Sequence, residues 1–171
     1  LKLFITLAVL MLMFAGGACA EPVKAAVFDF ELIDTSLQGE LQGPRKDEQE
    51  RLMRAGEQLR QALKDSGRFV VLDVAPVNAA AHNSNLQACG GCDVKFAQQL
   101  GADLAITGLV QKVSNLILSM NIYLHDARSG QPVAVLSADM RGDTDESWSR
   151  TMGWLIRNRV LAPNYGAPQA R

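Results

Sequence analysis

Apolar and polar residues follow three rhythms along this chain, and each predicts a different kind of element. Residues 3–14 are an almost unbroken apolar run behind Lys2, followed by the small residues Ala15-Gly16-Gly17-Ala18-Cys19-Ala20 and then Glu21-Pro22. A basic start, a short greasy core and an A-x-A site form the pattern of a secretory signal peptide, residues 1–20, cut after Ala20. The core is too short to span a bilayer, which takes roughly 20 apolar residues. Residues 23–33 then read as a strand, with Phe28 and Phe30 on one face and Ala25-Ala26-Val27-Phe28 apolar on both, as in a buried central strand. Gly39, Gly43 and Pro44 mark a loop through Lys46. A helix opens at Asp47, with Glu50 completing a capping pattern. Leu52, Ala55, Leu59, Ala62 and Leu63 make one stripe, while Arg51, Arg54, Arg60 and Lys64 mostly face water. Ser66-Gly67 ends it, and residues 68–74 give a second strand, parallel to the first through a right-handed crossover.

Pro76 and Asn83-Ser84-Asn85 predict a loop with one helical turn over 77–82, and residues 92–100 a short helix. Residues 102–113 form a strand with Gly108 where a backbone or bulge presses close. Leu118, Met120, Ile122 and Leu124 alternate with Ser119, Asn121, Tyr123 and His125, and Ala134, Leu136, Ala138 and Met140 repeat the period. The turn Asp126-Ala127-Arg128-Ser129-Gly130 joins them as an antiparallel hairpin with one wet face. Residues 146–161 make the last helix, with Trp148, Met152, Leu155, Ile156 and Val160 on its core side. The order β-α-β-α-β-β-β-α predicts an α/β (α+β) fold: a mixed sheet with helices packed on it and an antiparallel C-terminal hairpin. Residues 21–161 are expected to form a single domain, with 162–171 a flexible tail.

Charge narrows the partners. The 171 residues carry 17 basic and 18 acidic side chains, a formal net charge of −1, which points to neither nucleic acid nor an anionic membrane surface. No second apolar run reaches spanning length. A lipid anchor at Cys19 is the alternative to cleavage after Ala20, but Gly16 stands where a lipoprotein signal wants Leu, so ordinary cleavage is favoured. The expected location is the periplasm, or secretion.

Cys89-Gly90-Gly91-Cys92 is the sharpest local feature. In an oxidising compartment it reads as a structural disulfide pinning a loop to the following helix. The rival reading is thiol–disulfide exchange by a thiolate at a helix N-terminus, although the flanking aromatic residue and downstream cis-proline of a thioredoxin-like site are missing. Zinc held by Cys89, Cys92 and His82, with His125 or Asp93 as a fourth ligand, matches no familiar spacing, and Asp93 stands where a haem-attaching C-x-x-C-H needs His. Asp29 and Glu31, taken to share a face of the first strand, are a candidate polar site. Paired carboxylates do acid–base work when buried, yet a strand leaving a sheet edge turns polar for solvation alone. Trp154, six positions after Trp148, projects to the far side of the last helix, and with Arg150 and Arg157 it has the composition of a binding hot spot. Tyr123 and His125 join them as candidate contacts. There is no G-x-S-x-G, no G-x-x-x-x-G-K and no H-E-x-x-H, so no catalytic residue, cofactor or metal is expected.

The segments Val27-Phe28-Asp29-Phe30-Glu31-Leu32-Ile33-Asp34, Leu100-Gly101-Ala102-Asp103 and Arg141-Gly142-Asp143-Thr144-Asp145-Glu146-Ser147-Trp148 resemble a bacterial family of exported proteins of unknown function. More distantly, the layout is similar to the TolB amino-terminal domain and to curli-secretion and penicillin-binding-protein-activator lipoproteins. That resemblance implies an envelope protein–protein adaptor. The expected function is therefore an exported, non-enzymatic binding domain whose partner is an envelope protein or small ligand. The alternative is an accessory thiol or metal-handling protein that uses Cys89 and Cys92 in support of periplasmic oxidoreductases.

Overall fold

The computed structural model describes residues 21–163, so the signal segment and nearly all of the expected tail lie outside the described residues. Six strands, β1 (Val23–Val27), β2 (Glu31–Asp34), β3 (Phe69–Val71), β4 (Leu104–Ser114), β5 (Ile117–Asp126) and β6 (Pro132–Met140), form one mixed sheet. Five α-helices pack against it: α1 (Leu37–Gln42), α2 (Lys46–Asp65), α3 (Ala75–His82), α4 (Cys92–Gln99) and α5 (Asp145–Leu155). The sheet order is β3-β1-β4-β5-β6, with β2 also paired to β4; β3, β1, β2 and β4 run parallel, and the last two pairs are antiparallel. The mixed sheet and C-terminal hairpin expected from the sequence are therefore present.

Alternation along the strands builds two cores. Ala25, Val27, Ile106, Val110, Met120, Ile122 and Leu136 face α2 and α5, meeting Leu52, Leu59, Leu63, Trp148 and Met152. Ala26, Phe28 and Ala105 face α3 and α4, meeting Val77, Ala81 and Ala97. The hydrophobic stripe on α2 is the one its spacing predicts, but Arg51 and Arg60 do not face water: their side chains are 11% and 17% exposed and are tied into ion pairs. The capping pattern at Asp47 is not used either. Arg45 is the N-cap residue, with no side-chain cap bond, and Asp47 sits in the first turn, paired with Arg45 and Arg51.

The expected first strand is two strands with a bulge between them. Val27 pairs with Ile106 and Glu31 with Leu109, so four steps on one chain match three on the other. One extra residue inverts the facing of everything after it. Phe28 therefore enters the α3/α4 core and Phe30 the α2/α5 core, instead of sharing a face. Gly108 makes the room: a Cβ there would stand 2.2 Å from the Phe30 ring.

Other corrections are local. The expected loop through Lys46 contains α1, capped where Ser36 Oγ accepts from Gly39 N–H at 3.1 Å. The single turn expected near Pro76 is a full helix, α3, started by that proline in its first turn, where a missing N–H is harmless. The second strand is only three residues long. The last helix ends at Leu155 and continues as a π-helical turn, Ile156–Val160.

Candidate functional site

β1 lies between β3 and β4. The chain passes from β1 to β3 through α2 on one face, and from β3 to β4 through α3 and α4 on the other. Where successive connections leave for opposite faces, the helices splay beyond the carboxyl ends of the strands and open a cleft. Here that cleft holds Asp29, Arg60, Leu72, Asp73 and Asn78 around about 400 Å³. It shares Asp29 and Asn78 with a groove of about 390 Å³ that follows residues 29–33. Gln49 and Leu52 line the groove from α2, with Ala81, His82 and residues 83–86 on the other side.

Both sequence-predicted carboxylates lie in this groove, each held by a different partner. Asp29 is 45% exposed and held by the Arg60 guanidinium, which also donates to the Val27 carbonyl at 3.2 Å. Glu31 accepts from Leu86 N–H at 3.3 Å. Burial pushes the Glu31 carboxyl up, opposed in part by that N–H and by His82. The two side chains thus turn to different partners, Asp29 to α2 and Glu31 to the segment after α3. Beside them runs the outer edge of β2, which pairs with β4 alone. Carboxylates, side-chain amides and a free strand edge are recognition chemistry.

The five predicted contact residues do not form one surface. Trp154 is 43% exposed on α5, Trp148 is buried as expected, and Arg150 pairs with Glu146 along the outer face of the helix. Arg157 lies in the π turn with its guanidinium beside Gly153. Tyr123 and His125 belong to the opposite face of the sheet, out of phase with the core positions of β5. His125 Nδ1 lies 2.6 Å from Asp93 Oδ2, and Asp93 is buried in the first turn of α4. Cys89 and Cys92 form a disulfide with Cα atoms 5.7 Å apart, closed around Gly90 and Gly91, both at positive φ. His82 stands in the groove instead. No group of three or more His, Cys, Asp or Glu side chains among the described residues is arranged to hold a metal.

Sequence reasoning missed one buried polar assembly. Lys112 is fully buried, bonds Glu48 Oε1, and has Asp34 Oδ2 and Asp143 Oδ2 each 3.4 Å from its Nζ. Arg51 and Trp148 Nε1 both donate to Asp143 Oδ1, at 3.1 and 2.9 Å, whereas Asp143 Oδ2 has only the ion pair and no hydrogen bond. Burial pushes the Glu48 carboxyl up, with Lys112 opposing and Asp143 adding to it. Burial alone would lower Lys112, but the Glu48 hydrogen bond and the surrounding carboxylates hold it above its ordinary range. The signal was present: Lys112 keeps the alternation of Ile106 and Val110, which places a charge on the core face of β4. The assembly joins the end of β2, α2, β4 and the approach to α5.

Among solved structures, the fold is similar to the LpoB C-terminal domain from Salmonella enterica, at TM-score 0.51 and 16% identity over 74% of this chain and 87% of that one. The LpoB C-terminal domain from Escherichia coli gives 0.50 and 16% over 77% and 91%. Lipoprotein GNA1162 from Neisseria meningitidis gives 0.48 and 20% over 79% and 91%. At these identities the two LpoB domains establish a common fold, in line with the distant relationship read from the sequence. No curated protein matches the chain. A family match over residues 23–160 is decisive: the chain belongs to DUF3280, described as a "Protein of unknown function (DUF2380)".

Proposed function

We propose that this chain is an exported, non-enzymatic binding or adaptor domain of the bacterial cell envelope, acting in the periplasm, and that its partner docks in the groove along residues 29–33. The observation that carries this reading is the one-sided pairing of β2 inside a groove walled by α2 on one side and by α3 with its following loop on the other. The leader pattern supports export, and the fold shared with the LpoB C-terminal domains supports an envelope setting. Among the described residues, no helix is long and apolar enough to cross a membrane. The test is a photo-crosslinking residue placed singly at Ile33, Asn83, Trp154 or Tyr123 and activated in the native envelope. A discrete adduct from Ile33 and Asn83 is expected. An adduct from Trp154 or Tyr123 alone would move the docking surface to α5 or to the hairpin and overturn the assignment.

A second reading, an accessory thiol–disulfide protein, is favoured by the exposure of Cys89 and by the place of Cys92 as the first residue of α4, where the helix dipole stabilises a thiolate. A reduction potential well above about −300 mV would support it, and a value below would leave the bridge structural.

A further inference from the structure

Resting on the reading of the groove as the docking site, we infer that its occupant is an extended, basic peptide segment of a partner protein, added in the plane of the sheet against β2 and end to end with β3. The backbone argument comes first. Thr35 N–H donates to the Lys112 carbonyl at 2.9 Å, so strand alternation points the backbone groups of Ile33 and Glu31 toward β4. Those of Leu32 then point away from β4 and into the groove. β3 fills the matching place beside β1 but ends at Val71, and the chain turns away into α3. The vacant lane beside residues 29–33 is roughly 17 Å long, the span of about five strand residues. A strand entering it gains main-chain hydrogen bonds from the edge and takes its specificity from alternate side chains.

Charge selects the occupant. Among the residues that line the groove, Asp29 and Glu31 are acidic, His82 is the other titratable group, and none is Lys or Arg; the Arg60 that holds Asp29 lines the neighbouring cleft. Glu31 lies toward the segment after α3, whereas Leu32 packs with the α2/α5 core beside Leu52. The added segment therefore carries Lys or Arg on its α3 side and apolar side chains on its α2 side, in strict alternation.

The test uses the full chain, purified from the envelope fraction, on an array of immobilised octapeptides of random sequence. Binders are expected to alternate basic and apolar residues. Glu31→Gln, which keeps an acceptor for Leu86 N–H, should weaken the best free peptide roughly five- to tenfold. N-methylation of alternate peptide amides should abolish binding in one register and leave the other within about twofold. Binders without basic enrichment overturn the basic occupant, equal loss in both N-methylation registers overturns strand addition, and either result overturns the inference. If no octapeptide binds while the Ile33 crosslink in the envelope persists, this inference falls and the docking site stands; if both are lost, both fall.

Discussion

Lys112 is a fully buried cation facing three carboxylates. Lys112→Met would leave Asp34 and Glu48 without their cation and Asp143 with Arg51 alone, and removing one member of a buried ion network costs about 3–5 kcal/mol. Urea denaturation should show that loss, and replacing Lys112 and Glu48 together with apolar residues should cost less than Lys112→Met alone. Gly108 is constrained by shape rather than charge. Gly108→Ala drives a methyl into the Phe30 ring and should destabilise by about 2–3 kcal/mol, with Phe30→Leu in the same chain recovering part of it. Asp126 gives the pH signature. The Ser129 backbone N–H and hydroxyl, then the Arg128 N–H, hold its carboxyl below the ordinary range. A lowered folded value means the stability is present above the ordinary carboxylate value and is lost as pH falls through the folded one. Asp126→Asn should therefore cost about 1 kcal/mol near pH 7, and the gap from wild type should close below pH ~4 in acid titrations of unfolding.

At the scale of elements, the long periodic segments were legible and the irregular ones were not. α2 and the β5–β6 hairpin follow the periods of Leu52-Ala55-Leu59 and Leu118-Met120-Ile122, because burial of one face leaves a clear trace in sequence. The β1–β2 break left no such trace. Ala25 to Ile33 is apolar enough on both sides to conceal a one-residue change of phase, so plain alternation puts Phe28 and Phe30 on one face and pairs Asp29 with Glu31. Only Gly108, on the opposite strand, hinted at the bulge. The loop holding Cys89 and Cys92 behaves as its glycines imply. Its ring is short, so Cys89→Ser with Cys92→Ser should cost about 2 kcal/mol or less in thermal unfolding, with partner binding retained.

Across the whole molecule, the sheet separates surfaces that the sequence could not tell apart. Trp154 and Arg150 lie over one face and Tyr123 and His125 on the other, because strand order and helix side are tertiary facts. The groove is half visible in sequence: Asp29 and Glu31 stand out, but its far wall comes from residues 78–86, where Asn83-Ser84-Asn85 reads only as a loop. The fold itself follows from element order, whereas the docking lane exists because β3 stops at Val71 while β2 goes on to Asp34. Residue-resolved amide exchange reads that lane directly. In the free chain the Ile33 amide should be protected by β4 and the Leu32 amide should exchange fast; with the partner crosslinked at Ile33 in the envelope added at saturation, Leu32 should become protected. A Leu32 amide already protected in the free chain, or unchanged by the saturating partner, would contradict the account.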